Sequence, residues 1–455
     1  MKITGINPGT GEVIKSYAEM NAAEAESVLE QTGKAFEGWK RTAVPDRAAR
    51  MKAVAEQLRA QRGEFAELMA REMGKPVSQG RAEVDKCVWA CEFYAELGAK
   101  FLEAELIKTD ASKSFITFEP LGVLLAIMPW NFPFWQVFRA AVPALMAGNA
   151  VVLKHASNVF GCALAIEKVF SSAGMPQNIC RSLLIGSSRA GELIAHPLIA
   201  GVTLTGSTEA GSSVAAAAGK ALKKSVLELG GSDPYVVLAD ADVEQAAETC
   251  VNSRLINTGQ SCISAKRFIV LDSVRAQFSE LVIEKMRKRQ PGDPMNEPTT
   301  LGPLARHDLR DALQRQVERS IAEGAKLALG GKIPDGKGAF YPPTVLTGVT
   351  RTMTAFREET FGPVAAIISA KTEAEAIELA NDSVFGLGAA IFTRDVKRGE
   401  EIATKELQAG CCFVNDFVRS DPRLPFGGIR QSGYGRELGV FGIREFVNAK
   451  TVYVR

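Results

Sequence analysis

From Leu121 onward the chain switches repeatedly between short apolar runs and helical stretches, and that alternation restricts its fold more than any other feature. "LGVLLAIM" reads as a buried strand, "PWNFP" as a loop, and "FWQVFRAAVPALMAG" as a helix that Pro143 is expected to kink. "NAVVLK" reads as a second strand and "VFGCALAIEKVFSSAG" as a second helix, and "RSLLIG", "GVTLTG" and "SVLEL" continue the rhythm. Strands that alternate with helices build βαβ units around a parallel sheet. A second alternating stretch runs from "PYVVLADAD" through "RFIVLD", "YPPTVLTGV" and "AAIISA" to "GAAIFTRD", and predicts a second α/β unit. Ligands of such sheets bind beyond the carboxyl ends of the strands. The informative loops are therefore "PWNFP", "KHASN", "IGSS", "TGSTEAG" and "ELGGSD".

The rest of the chain is organised around these units. Residues 20–100 carry apolar residues at helical spacing. "LIKTDASKSFITFEPLG" reads as a hairpin that leaves the domain body. The tail "REFVNAKTVYVR" ends in a period-2 strand pattern with no evident internal partner, which suggests addition to another subunit's sheet. With 455 residues, two or three domains are expected. Lys and Arg total 54 against 52 Asp and Glu, so no basic surface marks the chain for nucleic acid or an acidic membrane. The start has no apolar signal region, and the most apolar stretch is interrupted by two prolines, an Asn and a Gln, so a cytoplasmic protein without a membrane span is expected. The 8 cysteines form no CxxC pairs and the 3 histidines are scattered, so no metal site is expected. Adjacent Cys411 and Cys412 should lie on opposite faces of a strand, packed and not bridged.

Several residues stand where chemistry could occur. "NTGQSC" places Cys262 after a small flexible turn. "VTLTGSTEAG" puts Gly206 and Gly211 at a strand-to-helix turn that suits phosphate binding on helix N–H groups, although a plain tight turn reads the same way. Lys154 and Ser157 follow a strand and could hold ribose hydroxyls or a phosphate; a solvated lysine fits equally, and His155 reads as a satisfied loop histidine. Glu228, between apolar residues and two glycines, should have a raised pKa that suits a general base, or else be hydrogen-bonded to backbone. "LPFGGIRQSGYGRELG" is too rich in glycine for a helix or strand interior and reads as a shaped loop.

Taken together, "PWNFP", "LTGSTEAG", "LELGG", "NTGQSC", "EETFGPV" and "PFGGIRQSGYGRE" resemble the aldehyde dehydrogenase superfamily, in the family's order and over nearly the whole chain. Glu228 and Cys262 stand 34 residues apart, as in that family. The resemblance implies an α/β fold with a Rossmann-type cofactor domain (1–101 and 121–230), an α/β catalytic domain carrying the nucleophile (231–438), and a small β oligomerisation element (102–120 and 439–455). It implies that Cys262 attacks an aldehyde carbonyl, that Asn131 and the Cys262 N–H hold the resulting oxyanion, and that Glu228 activates the hydrolytic water. It further implies that Trp130, Lys154, Ser157, Gly206, Ser207, Glu359 and Phe361 bind the nicotinamide cofactor. NAD-preferring relatives often have Glu at the position of Ser157; Ser can donate to a 2′-phosphate, so NADP is expected, with NAD also accepted.

Arg139, two helical turns after Asn131, and Ser420 are expected to line the aldehyde tunnel and grip a substrate carboxylate, with Arg419 beside them. An arginine paired to an internal carboxylate is the competing reading. Ser264 stands where one branch of the family has a second Cys, and Ile256 where that branch has an Arg. The "KHASN" and "SDPRLPFGG" stretches resemble the shorter bacterial NAD(P)-dependent succinate-semialdehyde group. A small carboxylated aldehyde is the expected substrate, in a homodimer or homotetramer. Glutaric semialdehyde, a neutral aldehyde, and acyl transfer to coenzyme A remain open as alternatives, though a water-activating Glu228 disfavours the last.

Overall fold

A computed structural model describes residues 2–455. The helical region comprises Ala22–Trp39, Val44–Ala60, Arg62–Met73 and Val77–Phe101. Asn21 starts the first with a reciprocal cap: its side chain accepts from the Glu24 N–H while Glu24 accepts from the Asn21 N–H. Gly74, at φ +79°, ends the third in the left-handed conformation that glycine adopts without a Cβ clash.

Behind these helices lies a six-stranded sheet. Five strands are parallel: Val123–Met128, Ala150–His155, Cys180–Ser182, Ile199–Thr205 and Lys224–Glu228. Numbered one to five in chain order, they lie side by side as 3-2-1-4-5. The order reverses between Val123–Met128 and Ile199–Thr205, so the crevice above their carboxyl ends is where a dinucleotide would lie. A short strand from far along the chain, Gly433–Tyr434, closes the edge antiparallel to Lys224–Glu228. Helix Trp135–Met146 runs on through Pro143, so the expected kink does not interrupt it.

The second unit is a seven-stranded sheet. Its order is Lys326–Leu329, Thr344–Thr347, Val364–Ala370, Arg267–Leu271, Pro234–Val237, Gly388–Phe392 and Cys411–Val414, with only the first strand antiparallel. Its central strands are buried on both faces, which is why they read as unbroken apolar runs. Cys411 and Cys412 pack into cores on opposite faces of their strand, and both thiols are free.

The tail strand Val447–Val454 corrects the expectation that it lacks an internal partner. It pairs antiparallel with Lys113–Pro120 of its own chain, from Val447↔Pro120 to Val454↔Lys113, and Glu105–Leu106 completes a three-stranded sheet. No helix among the described residues is long and apolar enough to cross a membrane.

Candidate active site

Cys262 follows a backbone segment of unusual geometry. Asn257, Thr258 and Gly259 all have positive φ (52°, 56° and 74°), and non-glycine residues pay for that conformation. The surroundings fix it. The Asn257 side chain donates to the Asn131 carbonyl (2.7 Å), Thr258 Oγ1 exchanges hydrogen bonds with Gly302, and Arg254 donates to the Gly259 carbonyl (2.6 Å). Gly259 has no alternative, because a Cβ there would lie 2.3 Å from the Gly362 carbonyl. Lys266 donates to the carbonyls of Ser261 (3.0 Å) and Cys262 (2.6 Å) and lies 3.4 Å from Glu359. The loop is thus held through the carbonyls of Gly259, Ser261 and Cys262, and it presents one partly buried thiol.

That thiol lines a cavity of about 360 Å³, together with Arg139, Ser420, Lys86, Trp135 and Phe426. Burial pushes it up to about 12, against the pull of Arg139 and Lys266. Among the described residues the Cys262 N–H donates to no acceptor. Asn131, buried, donates through Nδ2 to the Gln260 carbonyl (3.2 Å), which leaves the second amide proton free. Asn131 and the Cys262 N–H therefore sit on one loop junction as unspent donors. His155 pins the adjoining "PWNFP" loop: its Nε2 donates to the Pro133 carbonyl (2.9 Å) and its Nδ1 accepts from the Ala156 N–H (2.9 Å).

Glu228 is buried at the end of its strand and does not form part of the cavity wall. Its Oε1 has no hydrogen-bond partner and faces Gly427, where a Cβ would come within 2.7 Å. That contact explains one glycine of the shaped loop. Burial raises the Glu228 carboxyl well above its usual range, although Arg139 opposes the shift. The backbone-bonded alternative for Glu228 is thus not what the structure shows.

Arg139 and Ser420 both line this cavity, as expected of a carboxylate grip. The Nε of Arg139, however, lies against Glu437 Oε2, its Nη2 donates to Thr205 Oγ1 (3.2 Å), and the guanidinium covers the Phe426 ring (4.7 Å). Among the described residues Nη1 meets no acceptor. Most of its charge is answered inside the protein. Ser420 lines the same cavity, and its Oγ accepts from Lys86 Nζ (2.7 Å) and Trp135 Nε1 (3.1 Å). Burial and the neighbouring Arg139 pull the Lys86 ammonium down to about 8. Arg419 also borders the cavity but is paired with Asp416 (2.8 Å).

The residues expected to hold the cofactor lie outside that cavity. Gly206 precedes helix Thr208–Lys220, whose N-cap Ser207 accepts from the Ala210 N–H (3.2 Å). Gly211 lies inside that helix and not in the turn; it is glycine because a Cβ would strike the Leu229 side chain at 2.5 Å. Lys154 is buried, yet among the described residues its ammonium makes no ion pair or hydrogen bond, and burial lowers its pKa. Ser157 is exposed at the start of the next short helix. Trp130 and Phe361 meet edge to face, with ring centroids 5.8 Å apart. Glu359 accepts from the Gly231 N–H (3.2 Å) and, with Phe361, lines a second cavity of about 570 Å³. A buried lysine with no anion beside it among the described residues suits a phosphorylated ligand. Among the described residues no group of three or more His, Cys, Asp or Glu could hold a metal ion.

The model of the aldehyde dehydrogenase family matches residues 1–452. The chain belongs to that family. It is 48% identical to a succinate semialdehyde dehydrogenase [NAD(P)+] of Escherichia coli, over 98% of this chain and 97% of that one. It is 47% identical to a probable succinate-semialdehyde dehydrogenase [NADP(+)] of Synechocystis over the full length of both. Among solved structures it resembles the succinic semialdehyde dehydrogenase of Streptococcus pyogenes in complex with NADP+ (TM-score 0.97, 38% identity, 99% of each chain). The α/β architecture is that of an aldehyde dehydrogenase, and the protein is an oxidoreductase. Sequence reading missed Glu437, Lys266, Arg254 and Lys86 in this aldehyde dehydrogenase. Glu437 stands in "GYGRELG" and could have been flagged there; the others carry no local signature.

Proposed function

We propose that the protein oxidises succinic semialdehyde to succinate, with NADP used at least as well as NAD. The observation that carries this reading is the cavity at Cys262, walled by cationic and hydroxyl side chains that suit an aldehyde with a carboxylate at its far end. The relatives named above act on that substrate class by name. The Cys262 thiolate attacks the aldehyde carbon, and the Asn131 amide and the Cys262 N–H hold the oxyanion. NADP, when bound, would supply the hydride acceptor for this oxidation. Glu228, its basicity raised by burial, takes a proton from the water that hydrolyses the Cys262 thioester. Lys154 and Ser157 would meet the adenosine ribose and its 2′-phosphate, Gly206 and Ser207 the pyrophosphate, and Glu359, Phe361 and Trp130 the nicotinamide end. In this reading 1–101 with 121–230 bind the cofactor, 231–438 carry the nucleophile, and 102–120 with 439–455 join copies of the chain into a dimer or tetramer.

Initial rates with succinic semialdehyde and butanal, each with NADP and NAD, test it. The expected preference for the carboxylated aldehyde in kcat/KM is at least about tenfold, the worth of one charge-assisted hydrogen bond. A preference for butanal would overturn the substrate; a strong NAD preference would overturn the role of Ser157.

A further inference from the structure

We propose that Lys86, more than Arg139, supplies the charge that selects a carboxylated aldehyde at the Cys262 cavity. This inference rests on the substrate reading above and names the residue behind it. Lys86 comes from helix Val77–Phe101 and reaches the cavity wall, where its Nζ donates to Ser420 Oγ (2.7 Å) and lies over the Trp135 ring (4.5 Å). An ammonium has three donors, and this one spends a single proton on a protein oxygen. Among the described residues no carboxylate lies within ion-pairing distance of it.

The charged groups around Lys86 are all committed. Glu83 is shared between Lys75 and the N–H groups of Phe134 and Trp135 (2.9 Å each). Asp421 is held bidentate by Arg423 (2.9 and 2.6 Å). Arg139 is a like charge, itself answered by Glu437. A partly buried cation without a counter-ion is costly, and none of the described residues supplies one. A substrate carboxylate entering the cavity would supply it.

Ser420 points the same way. Its oxygen accepts from both Lys86 and Trp135 Nε1, which uses both lone pairs and leaves the hydroxyl proton free. Lys86 and Ser420 thus form a paired donor set at one spot on the wall. Arg139 can add Nη1, but its charge there is largely neutralised.

The test compares Lys86→Met, Lys86→Gln and Lys86→Arg with the wild type on succinic semialdehyde and butanal, which differ only in the carboxylate. In Lys86→Met, KM for succinic semialdehyde should rise at least about tenfold, while KM for butanal moves much less and kcat for either changes little. Lys86→Arg should recover most of the loss. Lys86→Gln keeps a donor for Ser420 without the charge, so it should behave like Lys86→Met and reports on charge even if the methionine variant fails to fold. A wild type that prefers butanal would sink the substrate reading and this inference together. A wild type that prefers succinic semialdehyde, with that preference intact in Lys86→Met and Lys86→Gln, would sink this inference alone.

Discussion

The Cys262 thiol is under two opposed influences. Burial disfavours the thiolate, while Arg139 and Lys266 favour it, and burial wins, leaving the group at about 12. Since only the thiolate is nucleophilic, the reactive fraction in the cofactor-free protein should climb about tenfold per pH unit from about pH 7 to 10, with no plateau. Iodoacetamide labelling, read on the Cys262 peptide by mass spectrometry, measures this directly. A plateau near the ordinary thiol range of about 8.5 would mean that the cations outweigh burial. Cys262, Asn131 and Glu228 were legible because each sits in a short motif whose neighbours shape it: a turn, a strand end, a pair of glycines. Lys86, which lines the cavity, and Glu437, which pairs with Arg139 behind it, carry no such mark. Lys86 meets Ser420 from 334 positions away, and nothing within its own helix marks it. For the same reason the sequence leaves open whether Arg139 is paired: its partner Glu437 stands far along the chain.

At the scale of elements, helix Trp135–Met146 carries Arg139 and begins four residues after Asn131, so its position sets much of the site. Its own N-terminus has no side-chain cap. Glu83 of helix Val77–Phe101 supplies one instead: Oε1 accepts from Phe134 and Trp135, and Oε2 pairs with buried Lys75, which also lies over the Phe132 ring (3.8 Å). Glu83→Gln keeps an acceptor for the helix but strands the Lys75 charge, and should cost about 3–5 kcal/mol. Urea unfolding would measure the loss, and adding Lys75→Met should recover much of it. A Glu83→Gln protein as stable as the wild type would show that the pair does not hold the two helices. The sheets themselves were readable, because doubly covered parallel strands must be short apolar runs. The N-terminal hairpin, Lys2–Ile6 with Val13–Ala18, was not: its residues are mostly exposed, and Tyr17 is the one fully buried side chain among them.

For the whole molecule, the three-stranded sheet is the least protected part. Strand Val447–Val454 is largely exposed and has Lys113–Pro120 on only one side, and Glu105–Leu106 forms the opposite edge. Leu106 (75% exposed), Ile107, Tyr453 and Val454 leave apolar surface on this sheet facing water. Small sheets with open edges and exposed apolar side chains are stable when another chain covers them. The proposed dimer or tetramer would do so, with the sheets of two copies placed edge to edge or face to face. Light scattering on the purified protein should then give a mass that is a multiple of the single chain. Leu106→Lys combined with Tyr453→Lys places charge on that surface and should lower the mass toward one chain, while the Cys262 cavity, formed by other segments, keeps its lining. A wild type that is already monomeric at micromolar concentration, or a double variant that holds the wild-type mass, would show that the sheet stands alone and that any assembly uses another face.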